Sequence, residues 1–69
     1  MPKRVNVREA ISIIRKDGWV LVRTRGSHRQ FHHPTRPGTV TIPGSLKQVL
    51  HPKTWNTILK QAGISKEAR

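Results

Sequence analysis

Two stripes of apolar residues at helical spacing bracket a stretch with strand composition, and this pattern limits what the chain can fold into. Val7, Ala10, Ile11 and Ile14 recur at i, i+3, i+4 and i+7, as do Trp55, Ile58, Leu59 and Ala62. Each set falls on one face of a helix and needs an apolar surface to cover it. In a chain of 69 residues that surface must come from the segment between them. A domain this small buries only about 60% of its unfolded surface, so its core is one layer thick. One domain spanning 1–69 is therefore expected.

The helix ends are written locally. Asn6 is a good N-cap, and Glu9 follows three residues later, which is a capping-box arrangement. Val5 and Ala10 take the staple positions around that cap. Arg15 and Lys16 suit the negative end of the helix dipole, and Gly18 offers the left-handed residue that stops a helix over Val7–Lys16. The second helix starts with Pro52 at its first position, where a missing N–H costs nothing. Leu50 is placed to staple against Trp55. Gly63 is again a stop, with Ile64 folding back on the last turn and Ser65 to Arg69 as a frayed tail.

Trp19 to Arg25 is rich in aromatic and β-branched residues and is expected to be a strand. Gly26-Ser27 is a tight turn, and a second strand follows over His28–His33. Alternation puts His28, Gln30 and His32 on one face and Arg29, Phe31 and His33 on the other. Phe31 is the large apolar residue of this strand, so its face is the buried one and His28 faces solvent. Pro34 to Gly38 is a turn by composition. Thr39–Ile42 is a third strand with Val40 and Ile42 inward. Pro43-Gly44 ends it, and Ser45–Leu50 is a basic connector with room for one helical turn. Short links between strands imply an antiparallel meander. The expected class is α+β, in the order α-β-β-β-α, with a three-stranded antiparallel sheet and two helices on one face. Double-stranded-RNA-binding domains share that layout.

Charge narrows the partners. Fourteen Lys and Arg face three Asp and Glu, a formal net charge of +11. Surfaces that serve only solubility mix their signs, whereas this chain is drawn to polyanions. Nucleic acid is the leading partner, an acidic protein the second and an anionic membrane surface the third. The chain has no cysteine, which excludes disulfides and thiolate zinc sites. The residues from Met1 to Ala10 lack the apolar run of a secretory signal, and no stretch approaches the roughly 18 apolar residues of a membrane span. The expected location is the cytoplasm.

Few residues can carry chemistry. Glycine-rich phosphate loops are absent, and no carboxylate pair is suggested. Among the four histidines, His28 and His32 share a strand face, but their α-carbons are about 13 Å apart at ~3.3 Å per residue. That is too far for one ion with metal–nitrogen bonds of about 2 Å. His32 and His33 point to opposite faces, so no metal site is expected. His28 differs in its setting, because it follows Gly26-Ser27 at the start of a strand and has Arg23, Arg25 and Arg29 close in sequence. Imidazole is a natural acid or base near neutrality. RNA supplies its own nucleophile, the ribose 2′-hydroxyl, and a neutral imidazole can take that proton while arginine or lysine steadies the phosphate charge. Lys47 in the connector joins Arg23, Arg25 and Arg29 as a candidate RNA contact. Ser27 beside His28 makes no catalytic triad, since adjacent strand residues point apart. His51 is explained by its place before Pro52, and Trp19 and Trp55 lie on apolar faces and are expected in the core.

The run Gly18-Trp19-Val20-Leu21-Val22-Arg23-Thr24-Arg25-Gly26-Ser27-His28-Arg29-Gln30-Phe31 resembles the signature of HicA-type mRNA interferase toxins. Val40-Thr41-Ile42-Pro43 and Ile58-Leu59-Lys60-Gln61-Ala62-Gly63-Ile64 are similar to that family as well, in the expected order. Gly44-Ser45 and His51-Pro52-Lys53 depart from its pattern. The resemblance implies a fold like a double-stranded-RNA-binding domain. It implies an endoribonuclease that cleaves mRNA without a metal or other cofactor, and a HicB-type antitoxin encoded beside it. His28 then stands where the family has its catalytic base, with Gly26 and Ser27 as the turn presenting it. Two other functions fit the same charge, a non-catalytic RNA-binding module and an interaction module for an acidic protein. Strand scission separates the first from both.

Overall fold

The computed structural model describes residues 4–64; the expected frayed tail at 65–69 lies outside them. The order is α1 (Val7–Lys16), β1 (Val20–Arg25), β2 (His28–His32), β3 (Val40–Ile42) and α2 (Pro52–Ala62). The strands form one antiparallel sheet in the order β1-β2-β3. This is the expected α-β-β-β-α arrangement, consistent with a double-stranded-RNA-binding-domain layout.

The helix ends follow the sequence signals. Asn6 Oδ1 accepts from Glu9 N at 2.8 Å, and the Glu9 side chain accepts from Asn6 N at 3.3 Å. At the other end Gly18 takes φ 102°, while Trp19 N donates to Ile14 O and Gly18 N to Arg15 O. These are the paired bonds of a Schellman motif, which needs a left-handed residue at this point. They also draw Trp19 out of the expected strand, so β1 begins at Val20. The end of α2 repeats the device, with Gly63 N bonded to Lys60 O and Ile64 N to Leu59 O.

The connector, which has room for one helical turn, holds a single turn of the i→i+3 kind. Ser45 and Gln48 close it, with Gln48 N donating to Ser45 O. Leu46 and Gln48 then give their carbonyls to Arg8 N and Val7 N, at 3.2 and 2.9 Å. Those are N–H groups that the start of a helix cannot satisfy internally, so the connector serves as a cap for α1. Val49 completes it with an isolated bridge to Asn6.

One core holds the molecule together. Val7, Ala10 and Ile14 of α1 and Trp55, Ile58, Leu59 and Ala62 of α2 join Trp19, Phe31, Val40 and Ile42 in a single buried cluster. Both helices therefore cover the sheet face that bears Phe31, Val40 and Ile42. They lie over β3, and β1 is exposed along its whole length. Arg36 ties the far end, pairing with Asp17 and donating to Ala62 O at 3.0 Å.

Candidate nucleic-acid interface

The uncovered sheet face can be read from the register. Arg25 pairs with His28, Arg23 with Gln30 and Val20 with His32, while Gln30 pairs with Thr41. Residues directly opposite in an antiparallel ladder share a face. Arg23, Arg25, His28, Gln30, His32 and Thr41 thus lie together on the side that no helix covers.

A bulge makes this grouping possible. The register slips between Leu21 and Arg23, where Leu21 faces Phe31 and Arg23 faces Gln30. In a regular strand, Leu21 and Arg23 would share a face. The extra residue, Val22, breaks the alternation. Leu21 therefore falls on the helix side, and both arginines fall with His28.

His28 is the first residue of β2, and its turn explains its position. Gly26 has φ 55°, and no non-glycine residue among those described has a positive φ. A two-residue hairpin loop with only its first central residue left-handed is the type II′ pattern, which matches the right-handed twist of the strands. No heavy atom lies within 4 Å of a Cβ built on Gly26, so glycine is needed there for its backbone and not for space.

The other histidines have structural work. His33 Nε2 lies 2.9 Å from Asp17 O, and its Nδ1 accepts from Thr35 N. Its ring also meets Trp19 edge-on, with centroids 5.2 Å apart. His51 Nδ1 accepts from Lys53 N and caps α2. His32 Nε2 lies 3.1 Å from Thr39 Oγ1. Among the described residues, His28 is the histidine whose ring makes no hydrogen bond. It is exposed.

The four basic candidates separate. Arg23 and Arg25 are exposed on the open face. Arg29 is half-buried on the opposite one, where its Nη1 donates to Gly44 O at 2.8 Å and to Ser27 O at 3.5 Å. It fastens the His28 turn to the segment after β3. Lys47 is exposed in the connector, which follows β3 at the end of the sheet where β2 begins. Trp19 and Trp55 are buried as expected and offer no ring to a base.

A second basic strip was not singled out in the sequence. Arg8, Arg15 and Lys16 border a shallow depression on α1 with Ile11 and Ser12. The signal was present, since residues 8, 12 and 15 sit one turn apart on the polar side of the helix. Among the described residues, no helix is long and apolar enough to cross a membrane.

A family model described as the HicA toxin of bacterial toxin–antitoxin systems matches residues 7–64. No curated protein matches the chain significantly. The matched span runs from the first residue of α1 to Ile64 and includes the whole sheet and the His28 turn. On that match the chain belongs to the HicA toxin family of bacterial toxin–antitoxin systems.

Proposed function

We propose that this protein is an endoribonuclease that cleaves mRNA, with His28 as general base and a HicB-type antitoxin as its inhibitor. One observation carries this reading: a solvent-facing imidazole with no hydrogen bond of its own stands opposite Arg25 on an open basic face.

The chemistry follows from what that face presents. RNA is held by its phosphates against Arg23 and Arg25, a contact that needs no sequence. The neutral His28 ring takes the proton from a ribose 2′-hydroxyl, and the 2′-oxygen attacks the adjacent phosphorus. The bond from phosphorus to the 5′-oxygen breaks, and that oxygen leaves with a proton from solvent. The products are a 2′,3′-cyclic phosphate and a 5′-hydroxyl. Arg25, directly opposite His28, is the cation offered to the charge growing on the phosphate oxygens. Since the substrate provides the nucleophile, no metal ion is required to generate one, and DNA is spared. Lys47 extends the basic surface beyond the hairpin, and the cytoplasm, where mRNA is translated, is the place of action.

The test is the structure of the cut ends. Purified protein in the presence of a chelator should fragment mRNA into pieces ending in 2′,3′-cyclic phosphate, and 2′-O-methyl RNA should resist. Fragments ending in a 3′-hydroxyl would contradict the mechanism. Tight binding without scission would leave an RNA-binding module.

A further inference from the structure

We propose that the free edge of β1 accepts an extended, acidic segment of a partner protein as a fourth strand. The two sheet edges are unlike. On the β3 side the backbone N–H of Thr41 donates to Gln61 Oε1 of α2. On the other side β1 pairs with β2 alone among the described residues. All six residues of β1 are exposed.

The edge is apolar where a soluble surface should not be. Val20, Leu21 and Val22 are 56%, 46% and 50% exposed. Three exposed aliphatic residues in succession on an edge strand are a pairing surface unless something covers them. The backbone is available as well. Arg25 and His28 flank a two-residue turn and so form a hydrogen-bonded pair. The next pair, Thr24 and Arg29, is of the other kind, and Thr24 turns its N–H and C=O to the outer edge.

Charge selects the occupant. A second copy would bring another net +11 against Arg23 and Arg25, so self-pairing is opposed. RNA would satisfy those arginines but gives no β-ladder and no match for three aliphatic side chains. A strand with apolar residues beside Val20 and Val22 and carboxylates near Arg23 and Arg25 meets all three demands. Strand addition of this kind takes its affinity from the backbone and its specificity from alternate side chains.

Such a strand would engage the two arginines that flank His28 and deny them to phosphate. In identifying its source as the antitoxin, the inference rests on the toxin reading; the edge itself does not.

The probe is a capped ten-residue peptide with glutamate at alternate positions of its N-terminal half and valine throughout its C-terminal half, added to the full chain, so that an antiparallel strand sets carboxylates near Arg23 and Arg25 and aliphatic groups beside Val20 and Val22. Binding is read by anisotropy and by hydrogen exchange at the Thr24 amide. The expected result is at least tenfold slower exchange at Thr24, with tenfold weaker binding for both Val22→Ser and Thr24→Pro. A peptide of the same sequence N-methylated at alternate residues, which cannot form a ladder, should bind at least tenfold more weakly. Equal binding by that peptide would reduce the contact to charge and overturn the proposal. So would equal protection of Thr24 by an RNA oligonucleotide or by self-association of the chain alone. His28→Ala should bind the peptide like the wild type, so loss of this site and loss of the nuclease mechanism are separate results.

Discussion

Arg25 and His28 face each other across the β1–β2 hairpin, on the sheet face that neither helix covers. Arg23 joins them there through the bulge at Val22. On the proposed mechanism a phosphate held by this pair of arginines would lie on the same sheet face as the imidazole, which is what the proton transfer needs.

Arg23→Ala and Arg25→Ala should therefore weaken RNA binding and leave the fold intact. Each removes one phosphate contact, so the slope of log affinity against log salt should fall by about 1 for each. Titrations at several salt concentrations in a His28→Ala background, where RNA stays whole, check this. An unchanged slope would remove these residues from the interface.

Arg29→Ala should behave in the opposite way. Its guanidinium bonds to Gly44 O and Ser27 O from the helix side. Losing a charged hydrogen bond at a half-buried position should cost about 1–2 kcal/mol of stability. Lysine should rescue part of it, because both bonds come from the single nitrogen Nη1 and an ammonium also carries more than one donor. Urea unfolding measures the loss, and the salt slope of RNA binding should stay near the wild-type value.

Gly26→Ala isolates the turn. No atom obstructs a Cβ there, so the whole effect is conformational, about 1–3 kcal/mol for a residue forced to φ 55°. Thermal melts should show this loss, and cleavage should fall with it as the His28 position relaxes. A neutral result would mean that the hairpin does not need its left-handed residue.

The remaining histidines can be separated by the same assays. His51→Ala removes the α2 cap and should cost about 0.5–1 kcal/mol, while cleavage per folded molecule is retained. His33→Ala should also destabilise, since it breaks the link from Asp17 O to Thr35 N. Loss of cleavage by folded His51→Ala protein would point to a second catalytic imidazole.

Both helices were legible in the sequence because their signals are local: a stripe, a capping box and a glycine stop. The exposure of His28 was legible too, since Phe31 fixes which face of β2 is buried. β1 was not. Val20, Leu21 and Val22 are all aliphatic, so alternation could not assign their faces, and a bulge leaves no mark in composition. Arg29 is a different case: proximity groups it with Arg23 and Arg25, whereas alternation along β2 already sets it with Phe31 on the side away from His28, where the sheet places it. The connector was equally opaque, because its conformation is set by N–H groups at the start of α1, some forty residues earlier in the chain.

The most direct measurement is the cleavage rate of a defined RNA by the wild type and by His28→Ala, side by side, in chelator. General-base catalysis is typically worth ~10²–10⁴-fold. The variant should therefore lose at least about 100-fold in rate while keeping the wild-type melting temperature and RNA affinity. Cleavage by a folded His28→Ala protein at the wild-type rate would contradict the account at its centre.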